Sequence, residues 1–261
     1  MLLSFLQTFH LYLVAWVPLE FEGLANAIEC EQCGFEISFD TNVHVEAGIS
    51  YPVLPGTGMF IKYVNQALNK EAHLRFDEYI REMRIPQEEI WEDDPDRGFQ
   101  YCLYPIYHVP DLISICGYEY YYWHLPHGSW RPIGKTFWQQ GDSVLELTLD
   151  DLFLAKSGYQ QFLTQYCENY YKTNKYGYYV YEDPEWPKLE FTDLNTFVLL
   201  KEGLLIIFRM YCVDGLNDNP NTFLIPYPIL KPFANPEGPI PTLMQSDDHW
   251  MTTNGQHDSS R

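Results

Sequence analysis

Three groups of side chains have the residue types that metal binding or catalysis requires. His124 and His127 stand three residues apart beside a proline, and imidazoles are common metal ligands. Asp150 and Asp151 are adjacent carboxylates of the kind that act in general acid–base catalysis. The polar loop 214–221 offers oxygens for calcium, but without the spacing of an EF-hand.

A structural explanation is the simpler one for these groups. Two histidines in a turn arise easily by chance. The two aspartates follow Thr148 at a predicted helix start, where carboxylates are favoured by the positive end of the helix. The sequence also lacks a Gly-x-Ser-x-Gly elbow, a phosphate-binding loop, a dinucleotide glycine fingerprint and a His-Glu-x-x-His motif. We therefore expect no catalytic residues, no metal and no cofactor.

An acidic run is the first candidate for a binding surface. Six carboxylates lie within residues 88–96, and a tryptophan stands among them. Most such runs are solvated loops. A tryptophan can also anchor an interface while the surrounding charges steer a cationic partner towards it. The predicted binding residues of this segment are Trp91, Glu92, Asp93 and Asp94.

An aromatic run is the second candidate. In a strand, Tyr118, Tyr120 and Tyr122 share one face, and Tyr121 and Trp123 share the other. Exposed rings of this kind can stack on sugars, but one of the two faces must belong to the core. From this run we assign Tyr118, Tyr120, Tyr122 and Trp123 as binding candidates.

Composition and charge exclude several classes of protein. The chain has 261 residues, of which 46% are hydrophobic and 17% aromatic, so it is not disordered throughout. Its 36 acidic and 16 basic residues give a net charge of -20, which is unsuited to nucleic-acid phosphates. No apolar segment reaches the roughly 18 residues of a clear spanning helix, which excludes a multi-pass membrane protein.

The N-terminus predicts export. Residues 2–19 are mostly apolar, and Ala25-Asn26-Ala27 is a small-x-small cleavage site. We expect residues 1–27 to be a signal peptide or an N-terminal anchor, with cleavage after Ala27. The protein would then be periplasmic, secreted or membrane-anchored. An apolar first helix within the core is the alternative.

Six cysteines are consistent with an oxidising compartment. Cys30 and Cys33 form a Cys-x-x-Cys pair in a short linker, 28–34, and predict a local disulfide or two simple thiols. Cys102 and Cys116 lie in consecutive strand-like runs. If residues 108–110 form the loop, these two cysteines stand opposite one another and a cross-strand disulfide is possible.

The periodicity of apolar residues predicts an α+β fold. The spacing over 59–83 is that of a long amphipathic helix, and 98–147 reads as a β-meander. A second helix begins after Thr148, and further short strands follow residue 196. We expect a single domain, 35–233, in which two helices pack on an antiparallel meander sheet. The polar segment 234–261 is expected to be a disordered tail.

Four stretches also carry a resemblance to a known family. They are 50–54 with 64–68, then 112–115, then 147–153, and finally 197–211 with 225–230. Their order and spacing resemble the exported domain at the C-terminus of RsiV, an anti-sigma factor that senses lysozyme. Related domains accompany peptidoglycan deacetylases such as PdaC. Where that family often has a Gly-Gly-Ala-His-like stretch, this chain has residues 123–128.

The resemblance implies a non-catalytic, exported binding module of the cell envelope. Its partner would be a cationic protein such as a lysozyme, or peptidoglycan. Two alternatives remain open at this point. One is an envelope hydrolase whose site the sequence does not reveal, and the other is a structural envelope protein without a ligand.

Overall fold

The computed structural model describes residues 34–42, 45–83, 97–122, 129–173, 188–209, 212 and 221–245. Within this part of the chain, the α+β class predicted from the sequence is confirmed. The described helices include none that is long and apolar enough to cross a membrane.

Six strands form the main sheet in sequence order. They are β1 (Gly34–Asn42), β2 (Val45–Val53), β3 (Arg97–Val109), β4 (Leu112–Tyr122), β5 (Ser129–Gln140) and β6 (Ser143–Glu146). Neighbouring strands are antiparallel except β2 and β3, which are parallel. The antiparallel meander predicted over 98–147 is confirmed as β3 to β6, and the parallel pair lies outside it. A helix between β2 and β3 carries the chain back to the end of the sheet where β2 began.

That helix, α1 (Met59–Met83), covers one face of the main sheet. Its predicted apolar face is confirmed, because Phe60, Val64 and Leu68 are buried against sheet residues such as Ile49 and Leu103. The entry to the helix is held by Asn65, whose side-chain amide donates to Leu54 O and whose Oδ1 accepts from Leu54 N–H, both at 2.9 Å.

A small second sheet covers the opposite face of the main sheet. It contains β7 (Phe197–Leu199), β8 (Gly203–Phe208) and β9 (Asn221–Pro226), all antiparallel. The close approach of β7 requires a glycine in β5, because a Cβ at Gly134 would lie 2.5 Å from the carbonyl oxygen of Phe197.

The remaining helical segments surround the small sheet. They are α2 (Leu149–Leu152), α3 (Tyr159–Thr173), a 3-10 turn (Phe191–Leu194), α4 (Tyr227–Leu230) and residues 239–245. The predicted second helix is thus split, and Lys156 (φ 63°) and Gly158 (φ 81°) lie in the break. Helix α3 packs on the small sheet, where Tyr171 contacts the ring of Phe208 at 5.4 Å. The small sheet occupies the other face of the main sheet, and the buried cluster around α3 also includes Leu112 of β4.

The predicted start of the disordered tail is also wrong. Residues 234–245 are packed: Ala234 bridges to Phe153, Asn235 N–H donates to Leu152 O at 2.8 Å, and Ile240 is buried. A polar, proline-rich composition concealed the few apolar side chains that hold this segment. Residues 246–261 lie outside the described residues.

The cysteine pairing is a further correction. Cys102 and Cys116 are free thiols, and so are Cys167 and Cys212. In the structure Cys102 stands opposite Tyr118, and Cys116 opposite Tyr104. The turn between β3 and β4 has two residues rather than three, and the register shifts between Pro105 and Tyr107. The two cysteines therefore sit diagonally rather than directly opposite. Cys30 and Cys33 lie outside the described residues.

Candidate functional site

The predicted alternation of the aromatic run is confirmed for the residues whose side chains are described. Tyr121 faces α1 and contacts the rings of Phe99, at 5.3 Å, and Tyr79, at 6.2 Å. Tyr118 and Tyr120 lie on the opposite face. Tyr122 is the last residue of β4. Trp123 and the acidic candidates Trp91, Glu92, Asp93 and Asp94 lie outside the described residues, as do His124 and His127.

Tyr118 is tied into the interior by its hydroxyl. It interacts with the side chains of Cys102 and Tyr104, its neighbours on the same sheet face. Burial, and then the nearby Cys102 and Tyr104, raise the pKa of Tyr118 well above its usual range. The phenol is therefore protonated at neutral pH and serves the packing of this face.

The described residues that flank the two predicted binding segments lie at one end of the main sheet. Segment 84–96 joins α1 to β3, and segment 123–128 joins β4 to β5. Their anchoring residues are neighbours: Gly98 pairs with Tyr122, and Tyr121 pairs with Ser129. The same end is closed by Tyr79 of α1, whose ring stacks on Phe99 with centroids 4.7 Å apart. The described residues next to both segments are therefore neighbours, and the segments themselves lie outside the described residues.

The aspartate pair has the structural role predicted for it. Thr148 is the N-cap of α2, and Asp151 Oδ2 accepts hydrogen bonds from both the Thr148 N–H and its Oγ1, each at 2.7 Å. Asp150 accepts a hydrogen bond from the Tyr159 hydroxyl at the start of α3. Both carboxylates thus hold the two helices at their N-terminal ends.

The structure reveals a charged pocket that the sequence did not predict. Tyr101 of β3, Glu119 of β4 and Arg131 of β5 are direct cross-strand neighbours and form a row on the face that α1 covers. Glu71 and Arg75, one helical turn apart on α1, lie over this row and line the same pocket. Its volume is about 180 Å³, and it opens to solvent.

Hydrogen bonds and ion pairs fix one side of the pocket. The Tyr101 hydroxyl donates to Glu71 Oε1 at 3.2 Å, and Lys135 Nζ lies 2.6 Å from Glu71 Oε2 and 2.7 Å from Glu146 Oε1. Burial and then the charge of Glu71 raise the pKa of Tyr101 far above its usual range. Burial alone would lower the pKa of Lys135, but hydrogen bonds to Glu146 and Glu71 outweigh it and the pKa is raised.

Glu119 is the buried carboxylate on the other side of the pocket. Its side chain is only 2% exposed, with Oε1 3.5 Å from Arg75 Nε and Oε2 3.9 Å from Arg131. Burial alone would lower the pKa of Arg75, but the charges of Glu119, Glu71 and Glu78 raise it. Burial, and then Glu119, raise the pKa of Tyr121 to about 12.

The pocket can therefore pair charges and donate or accept hydrogen bonds. Among the described residues, no group of three metal-ligating side chains comes together. The sequence did carry a weak signal for this site, since Glu119 interrupts an aromatic strand and Glu71 and Arg75 lie beside the apolar stripe of α1. What it lacked was the strand register that brings them together.

The sequence matches no protein-family model and no curated protein. The fold is similar to crystal structures of proteins of the DUF3298 family, a domain family of unknown function. One, from Bacteroides fragilis, has a TM-score of 0.50 at 14% identity, covering 82% of this chain and 98% of that one. Another, from Pseudomonas aeruginosa, has a TM-score of 0.53 at 13% identity, covering 79% and 94%. At such identities the similarity concerns the fold alone.

Proposed function

We propose that this chain is a non-catalytic binding module of the cell envelope that captures a cationic wall-active protein of the lysozyme kind. The observation that carries the proposal is the net charge of -20 at pH 7. A charge of this size creates a long-range field that speeds the encounter with a basic protein and weakens as salt is added.

The distribution of the charge along the chain supports the acidic run 88–96 as the docking segment. The described residues contain 18 acidic and 13 basic side chains, so most of the net charge belongs to the segments between and beyond them. The densest of these is 84–96, with six carboxylates and one arginine. The described residues beside this segment and beside 123–128 are neighbours in the sheet, and each segment contains a tryptophan, Trp91 and Trp123, which we propose as anchors.

The fold is compatible with this role. Its similarity to DUF3298 proteins does not conflict with the sequence resemblance to the exported domain of RsiV, from which the lysozyme-like partner is inferred. Peptidoglycan is the second candidate ligand. It is favoured by Tyr120, which pairs with Trp130 across β4 and β5 on the face away from α1 and could stack on a sugar.

The test is a titration of the purified chain with hen-type lysozyme at low and at physiological salt. We expect binding that weakens as salt rises. A variant with Glu92→Gln, Asp93→Asn and Asp94→Asn should bind at least tenfold more weakly. The matched control is Asp111→Asn, Asp142→Asn and Glu202→Gln, which removes the same charge from exposed turns away from the proposed surface.

Equal losses in the two variants would mean that only overall charge matters, and no binding at either salt would refute the lysozyme proposal. Retention on insoluble peptidoglycan without binding to lysozyme would favour the second ligand. Trp91→Ala separates anchoring from steering, because it should raise the dissociation rate and leave the salt dependence of association unchanged.

We also propose that the protein is exported and cleaved after Ala27. Support comes from the apolar run and the small residues before the cleavage site. Mass spectrometry of the protein from its native host should find Ile28 as the first residue. A soluble cytoplasmic pool that retains Met1 would contradict this.

A further inference from the structure

The buried carboxylate of Glu119 lacks a hydrogen-bond partner for one of its oxygens. Within the described part of the chain, no donor bonds to Oε1. The nearest cationic group, Arg75 Nε, is 3.5 Å away, longer than the 2.7–2.9 Å of a charge-assisted hydrogen bond. The Tyr121 hydroxyl hydrogen-bonds to the same carboxylate. A buried charge short of hydrogen bonds is costly, so the Glu119 carboxylate favours one further donor.

The surroundings of Glu119 determine where such a donor would come from. Glu119 lines the open pocket between α1 and β5 together with Glu71, Arg75, Tyr101 and Arg131. Both oxygens of Glu71 already have partners, Tyr101 and Lys135. A donor that enters the pocket therefore meets Glu119 as its acceptor.

The mouth of the pocket offers the opposite charge. The Arg131 side chain is 69% exposed and stays 3.9 Å from Glu119 Oε2, beyond hydrogen-bond distance. Its guanidinium therefore retains donors for an anion at the entrance, and a guanidinium binds a carboxylate through two parallel hydrogen bonds.

We propose that this pocket binds an α-amino acid group, with its ammonium on the Glu119 carboxylate and its own carboxylate on Arg131. The lining holds two carboxylates and two guanidinium groups. A lone cation would face the arginines and a lone anion the glutamates, whereas a zwitterion meets both with opposite charge. The volume of about 180 Å³ greatly exceeds the roughly 10–15 Å³ that one water needs. This proposal does not rest on the proposed protein-binding function.

The test is calorimetric titration of the full chain with glycine, L-alanine and D-alanine, and with methylamine and acetate as carriers of one charge each. We expect the amino acids to bind and the single-charge compounds to bind at least tenfold more weakly. Nε-acetyl-lysine carries the same group on a long blocked chain. If it binds as well as alanine, the pocket admits an amino acid group at the end of a larger molecule, and if it is excluded, the pocket admits small free amino acids only.

Variants locate the site. Arg131→Gln changes an exposed side chain, so the protein should fold, and binding of the amino acids should weaken at least tenfold. Arg81→Gln, an exposed arginine of α1 outside the pocket, is the matched control and should bind normally. Glu119→Gln keeps the shape and should abolish binding, with its fold checked by circular dichroism.

The proposal would be overturned by any of three results. The first is that none of the amino acids binds, which would mean that the pocket holds water only. The second is that methylamine or acetate binds as tightly as glycine. The third is that Arg131→Gln binds amino acids like the unmodified chain.

Discussion

Ser114 and Thr136 join the two sheets through a pair of buried hydroxyls whose oxygens lie 3.1 Å apart. Ser114 Oγ donates to Leu199 O at 2.6 Å, and Leu199 N–H donates to Thr136 Oγ1 at 3.2 Å. Since Ser114 has one hydroxyl proton and gives it to Leu199, Thr136 must donate to Ser114. The ring satisfies both backbone groups of Leu199 on the side of β7 that faces the main sheet.

Removing one member of this ring should destabilise the protein strongly for so small a change. Ser114→Ala leaves Leu199 O without a donor and the Thr136 hydroxyl proton without an acceptor, while Thr136 Oγ1 still accepts from Leu199 N–H. We expect this to cost about 1–3 kcal/mol. Urea unfolding would measure it. Thr136→Ser keeps the hydroxyl and should cost less than Ser114→Ala.

The energetic coupling between Ser114 and Thr136 tests the hydrogen-bonded ring more strictly than either single variant. The double variant Ser114→Ala with Thr136→Val should cost less than the sum of its single variants, because either change alone already opens the ring. Additive costs would show that the two hydroxyls act independently.

Gly134 should tolerate no side chain. Its Cβ would lie 2.5 Å from the carbonyl oxygen of Phe197, so Gly134→Ala forces the small sheet away from β5. We expect a loss of about 1–3 kcal/mol, typical of an overpacked interior. Gly58→Ala is the control, since a Cβ there meets nothing within 4 Å, and a change between neutral and about 1 kcal/mol more stable is expected. Thermal unfolding of the two variants in parallel measures the difference. Equal melting temperatures would show that a Cβ at Gly134 does not displace the small sheet.

The cap of α2 predicts a smaller effect. Thr148→Ala removes the Oγ1 hydrogen bond to Asp151 and should cost about 1 kcal/mol, as is usual for a lost N-cap. Asp142→Asn, in an exposed turn, should stay within about 0.5 kcal/mol of the unmodified chain. If Asp151→Asn left stability intact and abolished binding to a ligand, the carboxylate would belong to a site rather than to a helix end.

Local patterns were sufficient for the long helix and for most strands. The apolar spacing of α1 depends on neighbours within one or two turns, and sequence alone contains that information. The register of β3 against β4 is not determined by close neighbours in sequence. It depends on the two-residue turn at Pro110 and on the irregularity after Pro105. Because the sequence does not reveal these two features, the predicted register was shifted, and it wrongly paired Cys102 with Cys116.

Gly203 shows that contacts between neighbouring strands also cannot be read from local sequence patterns. Its position between two apolar runs predicts a left-handed turn residue, but it begins β8 and is not among the glycines with positive φ. A side chain is excluded there because a Cβ would lie 2.3 Å from Ile225 O on the neighbouring strand. The charged pocket could not be predicted from the sequence either, because Tyr101, Glu119 and Arg131 become neighbours only when β3, β4 and β5 pair.

Buried thiols predict how stability changes at alkaline pH. Cys167 of α3 is fully buried, and burial raises its pKa from the ordinary 9.0 to about 12. Between these values the thiol ionises in the unfolded chain but remains protonated in the folded one. The unfolded state therefore holds fewer protons, and stability falls by about 1.4 kcal/mol per pH unit from this group. Below pH 9 the contribution is constant.

Cys167→Ala should remove this share of the pH dependence. Denaturant unfolding at a series of pH values from 8 to 11 would show a shallower decline than in the unmodified chain, whatever the change in stability at pH 8. Leu163→Ala, also fully buried on α3, is the matched control. It should lower stability by about 2–5 kcal/mol at every pH and leave the slope unchanged, because it removes packing without removing a titratable group. Parallel declines for all three proteins would mean that Cys167 ionises as readily in the folded state as in the unfolded one.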